Sequence, residues 1–241
     1  MISALISITL RALLNRRRTL LLALLGALLM LVAAVYRLGE PASAEAADVT
    51  RGLLGDFGIG VLLPLVAVIV GTAALGSELD DGTIVYLLAK PVPRWRIVLV
   101  KLVAAWLVVS LLVVPAVVVA GAIGNGDVGL AASYGVAALV GGLEYTAIFV
   151  ALSLITSRAL IIGLAYVVVW EGVIAALFAG TRTVSVRQHA LAVADALGGE
   201  AAGGAELAIG VALVIGAIVI VGATFLAIRR LESVELRGET S

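Results

Sequence analysis

Two glutamates, Glu144 and Glu171, stand inside long apolar stretches of this 241-residue chain. A carboxylate near the centre of a bilayer costs at least ~2.5–3.5 kcal/mol on insertion scales, so such an acid faces a cavity, a partner or a polar path. Gly141 and Gly142 adjoin Glu144 and let a neighbouring helix or a ligand come close. Two readings stay open for both acids. One is a substrate- or proton-facing site on a translocation pathway. The other is a protonated glutamate hydrogen-bonded between helices or across a dimer interface. Other chemistry is thinly supplied. The absence of cysteine excludes disulfides, thiolate metal sites and cysteine nucleophiles. One histidine, His189, cannot build a multi-histidine metal site and is expected as a solvated loop residue. No Ser-His-Asp set and no metal-ligand spacing occurs, so no catalytic residue and no metal ligand is assigned. Ser110, Thr146, Ser153 and Thr156 are expected to bond back to their own helices. Trp106 and Trp170 are expected to be packing residues.

The densest polar run is 76–96, which contains Glu78, Asp80, Asp81, Gly82 and Thr83, then Ile84, Leu87 and Leu88, then Lys90, Pro91, Pro93, Arg94, Trp95 and Arg96, with Lys101 following. Asp80, Asp81 and Thr83 are candidate helix N-caps, and acids suit the positive end of a helix. Ile84, Leu87 and Leu88 share a helical face, and Pro91 and Pro93 end the helix. The bases then meet lipid headgroups, with Trp95 at the interface. A short helix with acids at one end and bases at the other, held beside a membrane, is a docking element. An ordinary charged turn is the plainer alternative.

The elements that must position these residues are helices in lipid. Hydrophobic residues make up 63% of the chain and charged residues 13%, against about half and a quarter in a soluble domain. The net charge of zero gives no sign of a nucleic-acid partner. A bilayer core of roughly 30 Å needs ~20 apolar helical residues to cross it. Six stretches qualify: 19–36, 53–75, 97–121, 131–155, 159–179 and 207–228. None shows strand-like alternation. The sequence therefore predicts an all-α polytopic membrane helical bundle of six transmembrane helices, in one domain spanning 1–241. Pro64 and Pro115 fall inside the second and third spans and are expected to kink them. Ile2, Leu5, Ile6, Leu10, Leu13 and Leu14 share a face, so 1–18 reads as an interfacial amphipathic helix ending in the Arg16-Arg17-Arg18 anchor. A cleavable leader is the competing reading of the start. However, the apolar run exceeds the usual ~7–15 residues, and Ala42-Ser43-Ala44 lies well past its end.

Positive residues set the expected orientation. With the N-terminus in the cytoplasm, Arg11, Arg16, Arg17, Arg18, Lys90, Arg94, Arg96, Lys101, Arg158, Arg229, Arg230 and Arg237 lie inside. Only Arg37, Arg51, Arg182 and Arg187 lie outside. Six spans then return the C-terminus to the cytoplasm. The longest external segment is 180–206, whose alanine-rich middle, 189–197, is expected to form a short helix at the outer face. Gly124-Asn125-Gly126-Asp127 is a clean turn.

The order and spacing of Glu78, Asp81, Gly82, Thr83, Leu87, Leu88, Pro91, Arg94 and Lys101 resembles the hallmark loop of type-2 ABC transporter permeases, the membrane-spanning subunits of ABC exporters. Leu79 stands where that family often has a basic residue, and Val100 where it often has glycine. The resemblance implies that 76–96 is a coupling helix that inserts into a groove on a separate ABC ATP-binding subunit. Gly82 and Thr83 would set its start, and Glu78 and Arg94 would bracket it. It further implies a particle of two ATP-binding subunits and two permease subunits, the second permease being another copy or a related chain. That particle would sit in the cell membrane with both termini cytoplasmic. This chain has no glycine-rich loop ending in Lys-Ser or Lys-Thr, so hydrolysis, with ATP and Mg, belongs to the partner and no cofactor is expected here. Drugs, lipids, glycans and peptides are all substrates of such exporters. A proton-coupled secondary transporter working through Glu144 and Glu171 is the alternative. An intramembrane enzyme lacks the polar sets it would need.

Overall fold

The computed structural model describes residues 13, 16–39, 44–80, 93–199, 202 and 205–238. The interfacial helix expected over 1–18 lies outside these residues, apart from position 13 and the last three. Also outside them are Asp81, Gly82, Thr83, Leu87, Leu88 and Pro91. The described residues are almost all helical, with no strand among them, and include six helices long and apolar enough to cross a membrane.

The first is α1, Arg16–Gly39. The second begins earlier than its apolar run. α2, Ala44–Gly52, passes through a π-helical segment, Leu53–Leu62, into α3, Leu63–Asp80. Residues Ala44–Gly52, between the expected first and second spans, are helical, and their polar groups are met locally. Thr50 Oγ1 donates to the Ala46 carbonyl at 2.7 Å, and Arg51 pairs with Asp48 at 3.0 Å. The disturbance expected at Pro64 falls in the turns before it. Proline lacks an N–H and crowds the carbonyl four residues back, here Gly60. The chain widens there, and the Leu63 N–H bonds five residues back to Gly58. Pro115, in contrast, sits within an unbroken α4, Arg94–Asn125.

The predicted turn follows. Gly126 at φ 80 ends α4, and Asp127 caps α5, Val128–Ile155, by accepting the Leu130 N–H at 3.0 Å. The fifth span is α6, Ala159–Ala165, a second π segment, Tyr166–Ile174, and α7, Ala175–Leu177. A 3-10 turn, Ala179–Val184, leads into α8, Val186–Gly198, and the last span is α9, Ile209–Gly238.

Buried share separates the helices: 67% of the most apolar window of α5 is buried, against 17% for α9. α5 is thus the core, clasped by α3, α4, α8 and α9. Tyr134, Tyr145 and Phe149 on α5 are fully buried, and the Tyr145 and Phe149 rings stack at 6.0 Å. α1, the fifth span and α9 turn Leu24, Ile161 and Val214 outward, where lipid is the natural solvent. One expectation is overturned. α8 does not lie at the surface: Val186, His189, Ala190, Leu191, Ala192, Val193 and Ala194 are buried, and the helix packs along α5. Gly141 makes the approach possible, because a Cβ there would stand 2.9 Å from that of Ala190. In lipid, close backbone packing of this kind replaces the hydrophobic drive available in water.

Candidate functional site

The polar side chains gather at two ends of the bundle. At the end where α3 stops and α4 starts, Glu78 and Lys101 form an ion pair. Lys101 is 4% exposed, about two turns into α4, and Glu78 lies in the last turn of α3. The pair therefore ties together the two helices that carry the 81–92 connection. Arg94 opens α4 directly after Pro93, whose φ of −56° suits a helix start. The Arg96 guanidinium lies 5.1 Å over the Trp95 ring, and Trp95 is exposed, as expected at an interface. Beside this end lies a cleft of about 670 Å³ between α1, α3, α5 and α6, with Arg18, Thr72, Ser77 and Thr156 among its walls. The structure thus brings Glu78 and Lys101 together and places Arg94 nearby at the head of the same helix.

At the opposite end, α8 joins the two intramembrane acids. Glu171 sits in the second π segment and is 4% exposed. Its Oε1 accepts the Val186 N–H at 2.9 Å and the Tyr166 hydroxyl at 3.3 Å, and its Oε2 accepts the Ser185 hydroxyl. Ser185 in turn accepts the Gln188 N–H at 3.2 Å. The first turn of a helix leaves N–H groups unpaired and carries partial positive charge. A carboxylate placed there satisfies both needs, so Glu171 and Ser185 together cap α8.

Glu144, on α5, is 1% exposed and meets His189 one turn into α8. His189 Nδ1 lies 2.9 Å from Oε1 and 3.1 Å from Oε2, and Nε2 lies 2.9 Å from the Thr183 carbonyl. A carbonyl oxygen only accepts, so Nε2 carries a hydrogen. In the neutral imidazole, Nδ1 then has a lone pair, and the contact to Glu144 needs one further proton. That proton sits on the acid or on the ring. The pair is neutral overall in either case, which is what a dry site favours. Burial lowers the affinity of His189 for a proton, but the hydrogen bond and charge of Glu144, with help from the Thr183 carbonyl and Glu171, outweigh it. The imidazole therefore holds its proton above the usual 6.5. A cavity of about 180 Å³ opens beside the pair, between α5, α8 and α9.

His189, expected in solvent, is therefore a fully buried partner of Glu144, and sequence reasoning missed Ser185, Thr183, Tyr166 and Gly216 as well. One signal was available: Ser185 and Gln188 have the spacing of a capping box and mark the start of α8. Nothing local pairs residues 45 apart. Two of the four weaker polar residues bond back to their own helix as expected: Thr146 donates to the Gly142 carbonyl at 2.6 Å and Ser153 to Val150 at 2.8 Å. Ser110 Oγ, in contrast, is buried with no hydrogen-bond partner among the described residues, and Thr156, in extended backbone just past α5, instead accepts the Arg158 N–H at 3.2 Å. Trp106 packs between helices and donates to the Leu139 carbonyl at 2.9 Å. Among the described residues no cluster of His, Asp and Glu could hold a metal ion.

A comparison with protein families matches residues 4–181 to the family described as ABC-2 family transporter protein. No curated protein matches the chain. The match takes in well over half of the sequence, both glutamates and the whole 76–96 loop, and the chain belongs to that family.

Proposed function

From that membership, which makes the chain a membrane permease of an ABC system, we propose that it forms the translocation pathway of an ATP-driven exporter and is driven through its 76–96 loop by a separate ATP-binding subunit. The observation that carries this reading is the Glu78–Lys101 ion pair. A loop that delivers force must be anchored on both sides. Here the helix entering the loop and the helix leaving it are joined by opposite charges, and one of these, Lys101, is almost wholly buried. A push on the 81–92 segment would reach α3 and α4 together and pass into α5, on which both pack.

The proposed particle has two permease subunits, a second copy or a related chain, and two ATP-binding subunits. ATP and Mg are held by those partners. The loop end faces the cytoplasm with both termini, and α8 lies toward the outside. The contact with the ATP-binding subunit is assigned to Asp81, Gly82, Thr83, Leu87, Leu88 and Pro91, and Arg94 opens the helix that follows them. Of the two acids, Glu144 is assigned to the pathway, since it borders a cavity. Glu171 is assigned to holding α8 in place.

Co-purification with the ATP-binding subunit, before and after Glu78→Ala combined with Gly82→Pro, tests the coupling. The double variant is expected to lose association or stimulated ATP hydrolysis, and undiminished stimulation removes the docking claim. A second reading, transport driven by protons, is favoured by the proton shared between Glu144 and His189. It predicts transport by the permease with no ATP-binding subunit present, which the first reading forbids.

A further inference from the structure

We infer that the cavity between α5, α8 and α9 is a binding site for a small lipophilic ammonium ion, which enters in exchange for the proton shared by Glu144 and His189. The inference deepens the assignment of Glu144 to the pathway by naming a substrate class, and it does not depend on ATPase coupling.

The walls supply the first argument. Glu144 and His189 border one end of the cavity, and the surface it exposes is almost wholly aliphatic, with Val140, Val193, Leu213 and Ile220. Its volume of about 180 Å³ is a little above the ~150 Å³ at which an apolar cavity in another protein takes up benzene. A charged head with a chain of a few carbons fits that shape. A bare metal ion does not, because alkali and alkaline-earth ions ask for about six or more oxygen ligands and the lining offers only the Glu144 carboxylate.

Charge balance supplies the second argument. Nε2–H of His189 is committed to Thr183, so the pair holds one exchangeable proton, between Nδ1 and the carboxylate. Loss of that proton alone leaves a net negative charge in a dry site, which is costly. Loss matched by arrival of R–NH3⁺ does not. The carboxylate and the Nδ1 lone pair then both accept N–H bonds from the ammonium, and one proton leaves to water. No bond other than these hydrogen bonds is made or broken. The other titratable groups around the pair are Glu171, Tyr145 and Tyr166. Glu171 and Tyr166 already bond one another, and α9 places no titratable side chain on the cavity.

Access supplies the third argument. Gly216 on α9 crosses directly over the acid, where a Cβ would stand 3.0 Å from Glu144 Oε2. α9 is the least buried span, so a single helix separates the cavity from lipid. Ala217, on that helix, both lines the cavity and is exposed.

The test uses the purified full-length permease in lipid nanodiscs and n-butylammonium chloride as probe, titrated calorimetrically near pH 7 in two buffers of different ionisation heat. Binding is expected to release about one proton per chain and to weaken about tenfold for each unit of pH lowered. n-Butanol, of similar shape and uncharged, is expected to release none. Glu144→Gln keeps a hydrogen bond to Nδ1 through its amide and is expected to abolish proton release. Ala217→Leu fills the cavity from the lipid side without touching the pair and is expected to abolish binding. Both variants should unfold at nearly the wild-type temperature. The inference is overturned by absent binding up to ~100 mM probe, by binding without proton release, or by unchanged release in either variant. If binding is absent yet Glu144→Gln impairs export, Glu144 stays on the pathway and only the ammonium class is lost.

Discussion

The two polar ends of this bundle solve the same problem differently. At the loop end, Glu78 and Lys101 face each other as carboxylate and ammonium and join two consecutive spans. At the α8 end, Glu171 is held by the Ser185 hydroxyl and the Val186 N–H at the start of α8 and by the Tyr166 hydroxyl of its own π segment, and Glu144 by an imidazole on α8. The ion pair serves as a fixed strut, and its geometry depends on both charges persisting. The Glu144–His189 contact keeps its neutrality whichever partner has the proton, so the proton can move or be replaced. Under the proposed function, the stiff contact lies where force would enter, and the contact that can change state lies where cargo would pass.

The largest effect is expected at Glu171. Glu171→Ala removes three acceptor bonds and leaves the Val186 N–H and the Ser185 and Tyr166 hydroxyls without that partner inside the bundle. The expected loss is about 3 kcal/mol, since each buried group left unpaired costs roughly 1–3 kcal/mol. Thermal unfolding in detergent should show it, together with proteolysis of the 180–206 segment. Next is the strut. Lys101→Met is expected to cost about 1–2 kcal/mol, below the ~3–5 kcal/mol typical of broken buried pairs, because the Glu78 side chain is 26% exposed and can turn to water. Stimulated ATP hydrolysis should fall further than stability does.

Proton dependence sharpens the contrast. The folded protein holds the His189 proton more tightly than the unfolded chain does. The stabilisation is therefore complete below the unfolded value of about 6.5 and fades as pH rises through the higher folded value. The unfolding midpoint should decline from pH 6 toward 9. In Glu144→Gln the amide donates to Nδ1 and holds the ring neutral, so this decline should flatten or reverse, and an unchanged slope would assign it elsewhere. The smallest effect is the stability of Glu144→Gln itself near neutral pH, expected within about 1 kcal/mol of wild type. That value reflects the ~0.6 kcal/mol average of interhelical hydrogen bonds in membranes.

What the sequence made legible follows from the range of the forces involved. The six spans were readable because each is a continuous apolar run, and lipid forces such a run into a helix. The turn at Asn125 to Asp127 was readable because Gly126 and Asp127 carry their own backbone chemistry. The strut was half readable: Glu78 and Lys101 belonged to one pattern, but pairing them required two helices to run side by side. The α8 centre was the least readable. Alanine-rich polar sequence fits a surface helix as well as a buried one. Only packing, through Gly141 against Ala190, decides in favour of burial. Once α8 is buried, His189 needs a partner, and Glu144, 45 residues away, supplies it.

The central claim is that the 76–96 loop docks on a separate ATP-binding subunit. The chain has no cysteine, so Leu87→Cys places a single thiol on the proposed docking helix. The decisive measurement is bifunctional thiol crosslinking of that variant in inside-out membrane vesicles containing the ATP-binding subunit. The account predicts a permease–ATPase adduct whose yield changes with added ATP. A thiol that forms no such adduct, and reacts instead with an impermeant maleimide from the outside of intact cells, would contradict it.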